Sequence, residues 1–200
     1  MQTARTVFAD RGHDAATVRE IADACSVTVP VLYQHFASKS DLYVALLEEG
    51  GEQLIDHVLS APQQGTPEQF LRSTVEAFFG WVEEHPGHWR LIFRDAAADR
   101  EVAAAQSALF VRARDAIAGL FALTPSWALS NDVEQSRGRE MLAQLTMSAL
   151  NGLAAWWWDN RDVPREQVVG TAMDLLWSGI SALGRGGAFE AEQAESEEDA

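Results

Sequence analysis

The chain has 200 residues, is 47% hydrophobic, contains one cysteine and carries a formal net charge of −15. No apolar run approaches the roughly 20 residues of a membrane-spanning helix, and no charged–apolar–small leader pattern opens the chain. The lone Cys25 excludes an intrachain disulfide framework and fits a reducing, cytoplasmic compartment.

Residues 2–12 make a short amphipathic helix with Ala4, Val7 and Phe8 inward and Gly12 as its stop. Thr17 is placed to cap a second helix, and Glu20 follows at capping-box spacing. Val18, Ile21 and Ala22 then share one helical face. After the interruption at Cys25-Ser26-Val27, Thr28 caps a third helix with Pro30 in its first turn, where a missing N–H is harmless. Val31 and Leu32 are expected inward, leaving Thr28, Val29, Pro30, Tyr33, Gln34 and His35 for an outside partner. Two helices joined by so short a turn form a helix-turn-helix, whose second helix fits the major groove of DNA.

Ser40-Asp41 opens a longer helix over about 39–60, in which Gly50-Gly51 marks a flexible point or a kink. Residues 61–67 form a linker, and Thr66 caps a helix to about Glu84. His85-Pro86-Gly87 breaks that helix ahead of a short one over 87–97, with further helices over about 99–122, 131–158 and 163–183. The loop 123–131 contains Trp127, and the glycines at 184, 186 and 187 are expected to stop the last helix before an acidic, disordered tail over 185–200. No stretch alternates with period two, so the fold class is all-α, with about nine helices. His85 and His88 have metal-ligand spacing, but Pro86-Gly87 prevents one helical face from gathering them, and a helix junction is the expected role. No Gly-rich phosphate loop, nucleophile elbow or paired catalytic motif is present, so neither enzyme activity nor a cofactor or metal is expected.

The run IADACSVTVPVLYQHFASKSDL resembles the signature of the tetracycline-repressor (TetR) family of bacterial transcription regulators. Ile21-Ala22, Val27, Leu32-Tyr33, His35-Phe36 and Ser38-Lys39 carry the match over the first quarter of the chain. Where the family usually has Gly in the turn, this chain has Ser26; a left-handed backbone there would strain it by roughly 1 kcal/mol. The resemblance implies a DNA-binding head over 1–45 and a ligand-binding and dimerisation body over 46–184. It also implies DNA contacts from Thr17, Arg19, Thr28, Val29, Pro30, Tyr33, Gln34, His35 and Lys39, with Arg19 on a guanine or phosphate and Tyr33, His35 and Lys39 on phosphates.

A ligand pocket is likewise implied, with Phe78, Trp81, Trp89, Phe93, Phe110, Met147, Asn151 and Trp157 as candidate lining, each also readable as ordinary core. Three consecutive tryptophans, 156–158, point about 100° apart on a helix and cannot all face one core. Small residues over 148–155 and 178–184 permit the close helix approach of a homodimer. The expected function is repression: a dimer that releases a palindromic double-stranded operator when a small apolar or aromatic effector binds the body. The alternative is a DNA-binding regulator with no small-molecule pocket, answering to a protein partner or acting constitutively. Charge counts of −3 over 1–49, −7 over 50–184 and −5 over 185–200, with Lys39 the only lysine, mean that DNA binding relies on a few placed cations and helix amides.

Overall fold

The computed structural model describes residues 1–62, 65–93, 98–122 and 133–198, with side chains as far as Ser181. Among these, nine α-helices and no strands are present: α1 Gln2–Ala15, α2 Val18–Ala24, α3 Val29–His35, α4 Lys39–Leu59, α5 Pro67–Glu84, α6 Pro86–Phe93, α7 Arg100–Ala122, α8 Gln135–Asp159 and α9 Arg165–Glu198. The expected all-α class and helix order are found. The end of the helix expected to reach 97 and the loop containing Trp127 lie outside the described residues.

Two compact units interleave along the chain: Met1–Val58 with Gly80–Arg112, and Leu59–Phe79 with Ala113–Ala200. In the first, Phe8, Ile21, Leu42, Tyr43, Leu46, Leu47, Trp81, Trp89, Leu91 and Ile92 are all but excluded from water. The Tyr43 hydroxyl donates to the Leu91 carbonyl at 3.0 Å, tying α4 to α6 within that core. Gly12 does interrupt α1, with φ 77°, but one further turn follows to Ala15.

Gly50 and Gly51 lie inside an unbroken α4, so the expected kink gives way to a packing role. A Cβ on Gly50 would stand 2.7 Å from Cδ2 of His88, and one on Gly51 would collide with the methyls of Leu109. Their absent side chains let residues of α6 and α7 press onto the α4 backbone.

In the second unit, Val75, Phe79, Ala143, Ala154, Trp157, Val168, Val169 and Met173 form the buried centre, and α8 packs on α9. Thr66 and Gln69 form a capping box at the start of α5. The expected end of the last helix at Leu183 is corrected: α9 runs to Glu198. Each mid-helix Gly costs about 1 kcal/mol, but the Ala, Glu and Gln residues that follow are strong helix formers.

Candidate nucleic-acid interface and regulatory body

The capping box at α2 is complete. Thr17 Oγ1 accepts from the Glu20 amide at 3.2 Å, while Glu20 Oε2 accepts from the Thr17 amide at 3.0 Å and from its hydroxyl at 2.9 Å. These bonds, the amide first, hold the Glu20 carboxyl below its usual range. Thr28 stands at the N-cap of α3 as expected, but makes no side-chain cap bond. Ser26 has φ 57°, the left-handed conformation that its place in the turn requires.

Leu32 is buried, whereas Thr28, Pro30, Tyr33, Gln34 and His35 are exposed and Val29 is half-buried. Val31 is exposed, not inward. Leu32 faces the core with Val29 at i−3 and Phe36 at i+4, which turns Val31 outward. Val31 therefore extends the exposed face of α3, and the Val29–Leu32–Phe36 spacing is the sequence signal that marks it; Val27 is exposed in the turn ahead of the helix. Arg19 is also exposed.

Lys39 is half-buried, and its ammonium donates to the carbonyls of His13 at 2.7 Å and Ala16 at 3.0 Å, at the end of α1. Of the head's other cations, Arg5 bonds Glu49 at 2.8 Å and Arg11 bonds Glu20 at 2.6 Å.

Behind the helix-turn-helix lies a polar chain that the sequence does not announce, because its members are 27 and 59 residues apart. Ser40 Oγ donates to Asp99 Oδ2 at 2.9 Å and lies 3.2 Å from His13 Nε2; His13 Nδ1 is 2.9 Å from Asp14 Oδ1. Asp99 Oδ1 also accepts from the amides of Glu101 and Val102, capping α7. The Val102 amide and then the Ser40 hydroxyl hold the Asp99 carboxyl below its usual range. A hydroxyl has one proton, and the Asp99 contact uses it.

The candidate ligand-lining residues fall into two groups. Trp81, Trp89, Phe93 and Phe110 belong to the first unit, where Phe93 stacks on Phe110 at 5.6 Å and lies 6.2 Å from Trp89. Phe78, Met147, Asn151 and Trp157 belong to the second, where Phe79 bridges Phe78 and Trp157 at centroid distances of 5.2 and 5.9 Å. The Asn151 Oδ1 is buried and has no hydrogen-bond partner. Trp157 Nε1 donates to the Val163 carbonyl at 2.8 Å, and Trp156 is 49% exposed.

In the first unit Trp81 stacks on His85, and His88 is buried beside both rings with its Nε2 unpaired. Burial, then the Arg5 charge, lowers the His88 pKa to about 4. Among the described residues no group of three or more His, Cys, Asp or Glu is arranged to hold a metal, and no helix is long and apolar enough to cross a membrane.

A capped short helix, a tight left-handed turn and an exposed second helix define a helix-turn-helix DNA-binding protein. Residues 1–46 match the family model "Bacterial regulatory proteins, tetR family", and residues 67–179 match "Tetracyclin repressor-like, C-terminal domain". The chain is 33% identical over 180 residues to the HTH-type transcriptional activator FasR of Mycolicibacterium smegmatis, covering 89% of this chain and 80% of that protein. The chain belongs to the TetR family of transcriptional regulators.

Similar solved structures include the regulator FadR from Bacillus subtilis in complex with stearoyl-CoA, with TM-score 0.71, 18% identity and coverage of 90% and 96% of the two chains. AibR in complex with isovaleryl coenzyme A and operator DNA matches with TM-score 0.65, 22% identity and coverage of 86% and 93%.

Proposed function

We propose that this protein is a cytoplasmic homodimer that binds a palindromic operator and changes its affinity for it when a small apolar effector occupies the helical body. The observation that carries the DNA reading is the exposed face of α3, with Arg19 at the start of α2. Thr28, Val29, Pro30, Tyr33, Gln34 and His35 are the proposed contacts on α3, and Thr17 adds a backbone contact at the α2 N-terminus. Lys39 contributes through the proton its two carbonyl bonds leave over.

Effector binding is supported by the aromatic groups in both units and by the unpaired Asn151 Oδ1, a polar atom of the kind that orients ligands in apolar sites. Acyl thioesters of coenzyme A are the first class to test, because two similar folds are described as complexes with such molecules. Dimerisation is supported by the outer face of α8 and α9, where Met141, Leu145, Trp156 and Leu175 are exposed. On the same helices a Cβ at Gly152 or Gly179 would meet nothing. Among the described residues no intrachain contact requires glycine there, and the missing side chains leave room for a partner helix to approach closely.

Repression by occlusion is the primary reading. Activation is favoured by one observation, the name of the 33% identical relative. Selection of bound sequences from random DNA is the deciding experiment: a palindrome is expected, and failure to enrich any motif overturns the proposal. Adding stearoyl-CoA and isovaleryl-CoA to the selected complex tests the effector class. Transcription in vitro from a promoter carrying the site then separates repression from activation.

A further inference from the structure

The Ser40–Asp99 bond joins places far apart in sequence and serves no capping need, since Asp99 already caps α7 through its other oxygen. Ser40 follows Lys39, whose ammonium closes the end of α1 just ahead of Thr17, the cap of α2. Its oxygen also meets His13, a buried ring packed against Phe8 and Tyr43. One hydroxyl is thus held where the end of α1, the start of α4 and the first turn of α7 meet. Two further ties reach α1: the Ala98 amide, one residue ahead of Asp99, donates to Asp14 Oδ2 at 3.4 Å, a longer bond, and Arg90 of α6 reaches Asp10 at 3.0 Å. Beyond Arg112, α7 continues without a break into the unit that holds Phe78, Asn151 and Trp157.

We propose that Ser40 is a positioning residue, whose hydroxyl latches the capped first turn of α7 to the joint of α1 and α4 and so couples the DNA-reading helices to the helix that leads into the body. The inference rests on the ligand-controlled reading above. Coupling is reciprocal, so whatever the effector does to operator affinity through this latch, operator binding must do to α7. That reciprocity permits a test with DNA alone.

Asp99→Ala is uninformative, because it also uncaps α7. Ser40→Ala removes the latch and leaves the cap. Asp99→Ser is its complement, since Ser is an N-cap as good as Asp but is too short to reach Ser40. Hydrogen exchange of the amides over 103–106 is followed in the free protein and with excess of the operator duplex recovered from random DNA.

In the parent chain, DNA is expected to slow exchange at these amides by about threefold or more, because it suppresses local opening of the latched turn. Ser40→Ala and Asp99→Ser are expected to bind the same duplex and lose the slowing, and Ser40→Thr to regain it. Equal slowing in the parent chain and in either latch-breaking variant, or no slowing in the parent chain, overturns the latch. If the parent chain binds no selected duplex, the DNA reading itself fails, an outcome distinct from loss of the latch.

Discussion

At the scale of single residues, Val31 and His88 each turn a side-chain environment into a measurable expectation. Val29, Pro30 and Val31 give the first turn of α3 an apolar surface, with neither acidic nor basic residues in that turn. The major-groove feature that matches such a surface is the thymine C5 methyl. Replacing operator thymines one at a time by deoxyuridine is expected to weaken binding at one or two positions per half-site. The loss is about fourfold each, the value of one buried methyl-sized group at roughly 0.8 kcal/mol. If Val31 joins these contacts, part of that penalty should vanish in Val31→Ala, and fluorescence anisotropy on the paired duplexes measures it; an unchanged penalty in the variant would show that Val31 makes no methyl contact. His88 concerns stability. Its pKa falls from 6.5 to about 4 on folding, so between those values the unfolded chain binds more protons than the native one. Stability should therefore rise with pH across that window and be lost as pH falls from 6.5 towards 4, by about 3 kcal/mol in all. Urea unfolding at a series of pH values, compared with His88→Gln, isolates the contribution; an unchanged slope in the variant would assign the acid sensitivity elsewhere.

At the scale of elements, Gly51 sets how closely α7 can approach α4. Gly51→Ala would raise helix propensity by about 1 kcal/mol, yet its new Cβ meets the Leu109 methyls, and overpacking of this kind costs about 1–3 kcal/mol. A net loss of stability is expected in thermal unfolding, and Gly51→Ala should cost less in a Leu109→Ala background than in the parent chain, because the truncated side chain leaves room for the new Cβ. A stabilised Gly51→Ala would mean that the helix pair separates freely. The residue pair also shows what the sequence could and could not disclose. Capping residues, the Pro30 start and the period of the apolar positions act within one turn of helix, so α2 and α3 are legible with near-correct bounds. Gly50-Gly51 looked like a weakness because only propensity is local; the ring and methyls that need the space come from His88 and Leu109, 38 and 58 positions away. The Ser40–Asp99 bond and the engagement of Lys39 with α1 carbonyls were hidden for the same reason. Val31 departs from the expectation although its spacing from Leu32 is visible, because apolar character alone suggests an inward side chain where the helix face is exposed.

At the scale of the whole molecule, DNA affinity has to be reached against a net charge of −15 per chain. The head contains four cations over 1–49. Arg5 and Arg11 are paired with carboxylates and Lys39 is tied to two carbonyls, which leaves exposed Arg19 as the one without such a tie in the described head. Affinity measured against salt counts phosphates neutralised, with a slope of about −0.9 per contact on duplex DNA. A dimer presenting two Arg19 side chains, with a partial share from each Lys39, should give a slope between about −2 and −4, well short of the roughly −5 to −9 for proteins making six to ten phosphate contacts. Nonspecific binding, which is almost wholly electrostatic, should be weak by the same reasoning. Specificity would then rest on base contacts along α3 and on simultaneous engagement of two half-sites. Arg19→Ala should make the slope shallower by about two units, leaving only the share of the Lys39 pair, with a large loss of affinity, whereas Arg11→Ala, whose guanidinium is already paired with Glu20, should leave it within about one unit of the parent chain. Anisotropy titrations of the selected operator from 50 to 200 mM salt, roughly the range over which such slopes are resolved, decide the matter. A parent slope steeper than about −6 would mean that the ion pairs of Arg5 and Arg11 open on DNA and that a broad electrostatic field, not a few placed contacts, holds the operator.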